Sequence, residues 1–138
     1  MDSSSPDVME ALKPAGLLYS SGHLEEALSV VEALWDRLPT DKGAVPNAYL
    51  AVEYAVGLLV RLSRLPEARA WAERGFAFRE KRHDLGEAEF LLAKVEYELG
   101  NLAEARRLLV AASEKSRGRV LRSEDSKYRA LIRGVVEG

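Results

Sequence analysis

Cysteine is absent from the 138 residues, which removes disulfide staples, thiolate nucleophiles and thiolate metal sites at once. The two histidines, His23 and His83, stand far apart without a carboxylate at ligand spacing, so they read as ordinary surface residues and no metal is expected. Only five prolines interrupt the chain, and its ten glycines are scattered singly. No phosphate-cradling glycine loop and no nucleophile elbow can be assembled from them. Adjacent carboxylates such as Glu25 and Glu26, or alternate ones such as Glu96 and Glu98, do not face one another on a helix, which leaves no acid/base pair. The expectation is a protein that is not an enzyme and carries no cofactor. No apolar run approaches the roughly 18 residues of a membrane span. The opening "MDSSSPDVMEALKPAG" is acidic where a secretory leader would be basic, so a cytoplasmic location is expected.

What the chain does contain is apolar residues at 47%, dominated by alanine, leucine and valine, a composition that favours helices. A chain of this length forms one domain, 1–138, and buries about two-thirds of its unfolded surface. Charge is uneven: residues 1–46 sum to −5, residues 47–83 to +3, and the stretch from Arg106 to Arg133 to +6. The basic stretch is compatible with a solvated face, an acidic protein surface or nucleic acid. The slightly acidic chain as a whole and the single ring at Tyr128 disfavour nucleic acid as a partner. Unlike charge at the two ends points to weak head-to-tail self-association.

The pattern small-x-Leu-x-Glu-Ala occurs three times, as "GHLEEA" (22–27), "SRLPEA" (63–68) and "GNLAEA" (100–105). The alanines are offset by 41 and 37 residues, the range of repeated supersecondary units. Each copy lies between two stretches whose apolar residues recur every three to four positions, the spacing of a buried helical face. Each unit is therefore expected to be a helix hairpin. Gly22, Ser63 and Gly100 end its first helix where a left-handed residue is easiest. Leu24, Leu65 and Leu102 plug the turn, and Ala27, Ala68 and Ala105 let the two helices approach closely. Pro66 fits the first turn of a second helix, and Glu25, Glu26, Glu67 and Glu104 suit helix N-termini.

The residues define repeats at about 7–39, 47–82 and 85–117, with "PTDKGAVPN" and "KRHDLG" as insertions. Ser5-Pro6-Asp7 reads as a helix start, and Ser123 before Glu124 and Asp125 opens a final helix over about 123–137. That helix would cap the last hairpin with Leu131, Ile132, Val135 and Val136. Pro14 should kink or divide the first helix. Trp35 and Trp71 lie in second helices among apolar neighbours and read as packing residues rather than ligand platforms.

This triplicated pattern resembles the tetratricopeptide repeat over about residues 7–118. Small residues stand twelve positions before two of the three alanines, at Ala15 and Ala93, with Val56 in the middle unit. Seven positions after come Leu34, Gly75 and Ala112. Pro39 matches the family's closing proline, whereas Glu80 and Arg117 replace it later. Glu96 stands where an aromatic or aliphatic residue is usual, and no first helix has the family's tryptophan. The long repeats, with "RGFAFREKRHDLG", look like the longer second helices of the kinesin light chain type.

The resemblance implies an all-α, right-handed superhelical solenoid of three hairpins with a C-terminal capping helix. It also implies a concave groove of first helices that holds a peptide or helix of another protein. Positions at fixed offsets before each alanine place Leu12, Gly16, Tyr19 and Ser20, then Glu53, Gly57, Val60 and Arg61, then Phe90, Lys94, Tyr97 and Glu98 on that stripe. Chaperone-binding members of the family clamp a terminal carboxylate with lysines, an asparagine and an arginine. Only Arg61 and Lys94 could take part here, with Glu53 and Glu98 opposing them, so apolar and aromatic anchoring is expected instead. An adaptor or scaffold is the function implied; the alternatives are a nucleic-acid-linked regulator using the basic segment, or a small secretion chaperone.

Overall fold

Apolar residues at helical spacing produce helices throughout the residues described by the computed structural model, which are 7–42, 45–78, 86–117, 127, 128, 130 and 131. In chain order the helices are α1 (Val8–Ser20), α2 (Leu24–Arg37), α3 (Tyr49–Arg61), α4 (Leu65–Arg74), α5 (Glu87–Leu99) and α6 (Leu102–Ser116). A four-residue 3-10 turn, Gly75–Phe78, follows α4, and Lys127, Tyr128, Ala130 and Leu131 are helical as well. No strand occurs among the described residues, so the protein is all-α there. Helices α1 and α2, α3 and α4, and α5 and α6 pack as hairpins, and α2 on α3 and α4 on α5 join one hairpin to the next. The first helices also touch in sequence, α1 on α3 and α3 on α5.

The three turns are built alike. Gly22, Ser63 and Gly100 have φ of 83°, 61° and 88°, the left-handed conformation that ends a helix. The following N–H groups reach back across the turn: His23 donates to the Leu18 carbonyl at 2.8 Å, Arg64 to Leu59 at 2.9 Å and Asn101 to Glu96 at 2.9 Å. These six-to-one bonds satisfy carbonyls that the helix end would otherwise leave open. The second helix begins at once, with Ala27, Ala68 and Ala105 donating to the carbonyls of His23, Arg64 and Asn101.

All three of those alanines are wholly buried, and so are Ala15, Ala93 and Ala112, which keeps the hairpin axes close. Larger side chains fill the gaps between hairpins: Leu34, Leu58, Leu59 and Leu109 are among the largest fully buried residues. Each stabilises the fold by about 1.5–3 kcal/mol through burial. Of the turn leucines, Leu24 packs partly against the core and Leu65 is half-buried, but Leu102 is 46% exposed and plugs nothing. The first two have a following hairpin to lie against; among the described residues Leu102 has none.

The division of α1 that Pro14 could have caused does not occur: the helix runs continuously from its Asp7 cap, where Asp7 Oδ1 accepts from the Glu10 N–H at 3.2 Å. Pro14 and Glu10 are both exposed, so the carbonyl that loses its intrahelical partner can turn to water. In the middle unit α4 itself has 10 residues, against 14 in α2 and 15 in α6, and passes into the 3-10 turn; of the stretch "RGFAFREKRHDLG", residues 79–85 lie outside the described residues. Helix α4 tightens at Gly75, where a Cβ would lie 3.0 Å from the Tyr49 ring, so the backbone of the 3-10 turn sits directly on α3. The expected insertion "KRHDLG" lies outside the described residues apart from Gly86, as do Ser123, Ile132, Val135 and Val136.

Candidate partner-binding groove

Helices α1 and α3 lie side by side with a tyrosine on each, and between them opens a groove of about 260 Å³ lined by Tyr19, Leu50, Glu53, Tyr54 and Gly57. Glycines make the space. A Cβ on Gly57 would meet no atom within 4 Å, and one on Gly16 would lie 3.3 Å from the Tyr54 hydroxyl, so Gly16 lets that ring lie across α1. Arg61 engages one of the lining rings: its guanidinium sits 5.1 Å from the Tyr19 ring centre and donates to the Tyr19 hydroxyl at 3.2 Å. Glu53 and Arg61 are exposed, whereas Gly16, Tyr19, Gly57 and Val60 are half-buried.

The expected stripe is therefore only partly open. Leu12 is 3% exposed and belongs to the core, and Phe90 is 8% exposed because a ring covers it. That ring is Tyr128, edge-on to Phe90 with centroids 6.0 Å apart and to Tyr97 at 5.4 Å. Lys127 pairs with Glu98 at 2.8 Å and lies 5.1 Å from the Tyr97 ring centre. The hydrogen bond that Lys127 donates to Glu98 raises the Lys127 pKa against the lowering effect of partial burial. Lys94 stands 4.6 Å from the Phe90 ring centre. On α5, then, the stripe is occupied by the chain's own C-terminal residues.

Tyr54 escaped the fixed-offset reading because it lies one helical position from Glu53, and Leu50 because it lies a turn before Glu53, ahead of the first offset used. The signal that could have found Tyr54 is Gly16, a bare position on the neighbouring helix that gives its hydroxyl room.

Part of the basic stretch is neutralised where it is described, through Arg107, Lys115 and Lys127. Arg107 grips Glu104 with two hydrogen bonds, which lower the Glu104 carboxyl and raise the Arg107 guanidinium. Lys115 pairs with Glu89 at 2.7 Å, and Tyr128 is buried, so its ring is not open to a base. Trp35 and Trp71 pack edge-to-face with centroids 5.0 Å apart, and Arg74 lies 4.3 Å from the Trp71 ring centre. A wider hollow of about 550 Å³ is bounded by α1 and α2 alone, with Pro14, Val30 and Arg37 in its lining. His23 is exposed beside Glu26 at 3.3 Å. Among the described residues no three histidines or carboxylates converge as metal ligands, and no helix is long and apolar enough to cross a membrane. No protein-family model, curated protein or solved structure is significantly similar to the chain.

Proposed function

We propose that this chain is a non-catalytic interaction module, a tetratricopeptide-like right-handed solenoid of three hairpins with a C-terminal cap, which binds a peptide or helix of a partner protein as an adaptor or scaffold. The three identical turns, the buried alanines in register and the first-helix contacts α1 to α3 to α5 support the solenoid reading. The observation that carries the function is the α1/α3 groove: two half-buried tyrosine rings, Leu50 and Glu53 beside a bare glycine, with Arg61 bonded to the Tyr19 hydroxyl. Half-buried rings in a concave, mostly apolar setting are the material of interface anchors. A cytoplasmic setting remains part of this reading.

The pairing of Arg107, Lys115 and Lys127 with carboxylates weighs against the nucleic-acid alternative, because a paired cation releases few counterions. The test is a photo-crosslinking residue in place of Gly57, where a Cβ would meet no atom within 4 Å. Crosslinking in native cells is expected to join the chain to another protein. A parallel crosslinker at exposed Ala33 in α2 should not trap the same species; equal trapping at both sites would refute the groove.

A further inference from the structure

We propose that two copies of this chain pair through the outer face of the first hairpin, α1 of each lying on α2 of the other about a two-fold axis parallel to the helices. Helix α1 turns Gly16 and Tyr19 towards α3, and Pro14 and Leu17 away from it. Helices α1 and α2 therefore leave one face bare, and the hollow of about 550 Å³ lies in it, lined by these two helices alone. Its side chains are small: Ala11, Pro14, Val30 and Ala33 let a second helix pair come close. Leu17, a turn beyond Pro14, is 72% exposed, more than any other large apolar side chain described. Covering it removes apolar surface from water.

Charge points to a second copy as the occupant and sets its orientation. Asp7 and Glu10 stand at the start of α1 and Arg37 in the last turn of α2, so the antiparallel hairpin brings all three to one end of the hollow. All three are exposed, and Arg37 makes no ion pair among the described residues. Glu10 holds Lys13 in an exposed contact of little strength. A segment carrying one sign of charge would meet both signs here, whereas this face is its own complement. Rotation about an axis along the helices keeps the charged end level and exchanges α1 with α2. Arg37 of the partner subunit then meets Asp7 and Glu10, and the same contact recurs on the other side of the axis, as an isologous interface requires. An axis across the helices would instead leave Asp7 and Glu10 facing the uncharged end of the partner's α1. Two helices of 13 and 14 residues present a face of about 20 Å by about 20 Å, the scale of a weak, concentration-dependent pair and not of an obligate dimer.

Sedimentation equilibrium of the full chain from about 10 µM to about 1 mM tests the pairing. A monomer–dimer equilibrium is expected, with no larger species. Ala33→Glu, at an exposed site, puts a carboxylate on the contact face near Glu10 of the partner subunit and should weaken pairing about ten-fold or more. Glu10→Arg and Arg37→Glu should each do the same, because each sets like charges against one another across the axis. Mixed in equal amounts, these two variants should pair with the parent's affinity, since every charged contact across the mixed dimer is again between opposite signs. Melting temperatures measured beside them separate loss of pairing from loss of fold. A monomer at every concentration would overturn the inference, and so would a dimer indifferent to Ala33→Glu, which must use another face. A mixture that pairs no better than its components would overturn the two-fold arrangement, and growth beyond the dimer would mark head-to-tail contact in its place. The groove reading is decided separately by the crosslink at position 57, and a crosslinker at Ala33 is expected to join two copies of this chain.

Discussion

Arg69 on α4 reaches the carboxylate of Glu96 on α5 at 2.9 Å, joining the second hairpin to the third through a glutamate that is 2% exposed. Asn101 donates to the other oxygen at 2.7 Å. A buried carboxylate held on both oxygens is stable; one deprived of its cation is not. Arg69→Met is therefore expected to cost about 1–3 kcal/mol. Glu96→Leu should cost less, about 1 kcal/mol or below, because Arg69 is 46% exposed and returns to water. The double variant Arg69→Met/Glu96→Leu should recover most of the loss. Urea midpoints of the four proteins decide the matter, and an Arg69→Met protein as stable as the parent would contradict it.

The turns offer a purely backbone experiment. Ser63 adopts at φ 61° the conformation that Gly22 and Gly100 adopt without a side chain. Left-handed backbone costs a non-glycine residue about 1–2 kcal/mol, against about 0.5–1 kcal/mol of extra unfolded-state entropy for glycine. Ser63→Gly should thus stabilise by up to about 1 kcal/mol. Gly22→Ala should destabilise by about 1 kcal/mol although its Cβ would touch nothing within 4 Å. Thermal melts of both variants moving in the same direction would rule out strain at the turn as the cause.

Gly86 is required for two reasons at once. Its φ is 84°, and a Cβ there would fall 2.7 Å from the Ala112 carbonyl oxygen and 2.8 Å from its Cα. The start of α5 lies on the backbone of α6, which cannot yield as a flexible side chain would. Gly86→Ala is expected to cost about 2–5 kcal/mol, adding backbone strain to overpacking. A loss no larger than that of Gly22→Ala would show that the two helices separate freely.

These contrasts explain what was legible in the chain. The hexapeptide could be read because its chemistry is local: a left-handed residue, a helix start and a small residue in register need no distant partner. Offsets from Ala27, Ala68 and Ala105 fixed the angular position of each stripe residue in the same way. They could not say what would lie above it, so Phe90 and Leu12 read as open anchors and are buried. The 3-10 turn at Gly75 depends on contact with Tyr49, and the fit of Tyr54 over Gly16 joins residues 38 positions apart. Both are tertiary facts: the sequence marks Gly75 and Gly16 as bare positions but not the rings that meet them. Glu96 stands where an apolar residue was expected, and its acceptability depends on Arg69 from another hairpin.

Acid should loosen the outer ends of the turns. Hydrogen bonds from Arg64 hold the Glu67 carboxyl below its usual 4.5, and those from Arg107 do the same for Glu104. A depressed folded-state pKa makes protonation cost more in the folded state. The stabilisation is therefore full above about pH 4.5 and is lost as pH falls through the folded-state values. Both pairs are exposed, so the effect is small and salt-sensitive. Melting temperatures of the parent minus those of Glu67→Gln/Glu104→Gln should be positive at pH 6 and shrink towards zero near pH 3. A difference that grows on acidification would reverse the sign of the argument.

Tyr97 has a different expected phenotype now that its ring is seen beneath Tyr128. Its position on the stripe suggested a partner anchor whose removal would spare the fold. With centroids 5.4 Å apart and Lys127 lying over the Tyr97 face at 5.1 Å, the ring instead seats the C-terminal residues of the same chain. Tyr97→Ala should strip that seat, and Tyr128 would lose an edge-to-face partner worth about 0.5–1.5 kcal/mol beyond its burial. Limited trypsinolysis reads the consequence directly, because Lys127 is itself a cleavage site. Cutting after Lys127 is expected to accelerate several-fold in Tyr97→Ala, with a smaller acceleration in Glu98→Gln, which weakens only the ammonium contact. Cleavage elsewhere in α1 to α4 should not change, since those helices share no contact with Tyr128 through Tyr97. Unaltered cleavage after Lys127 in both variants would mean that neither the ring nor the ion pair holds the segment to α5.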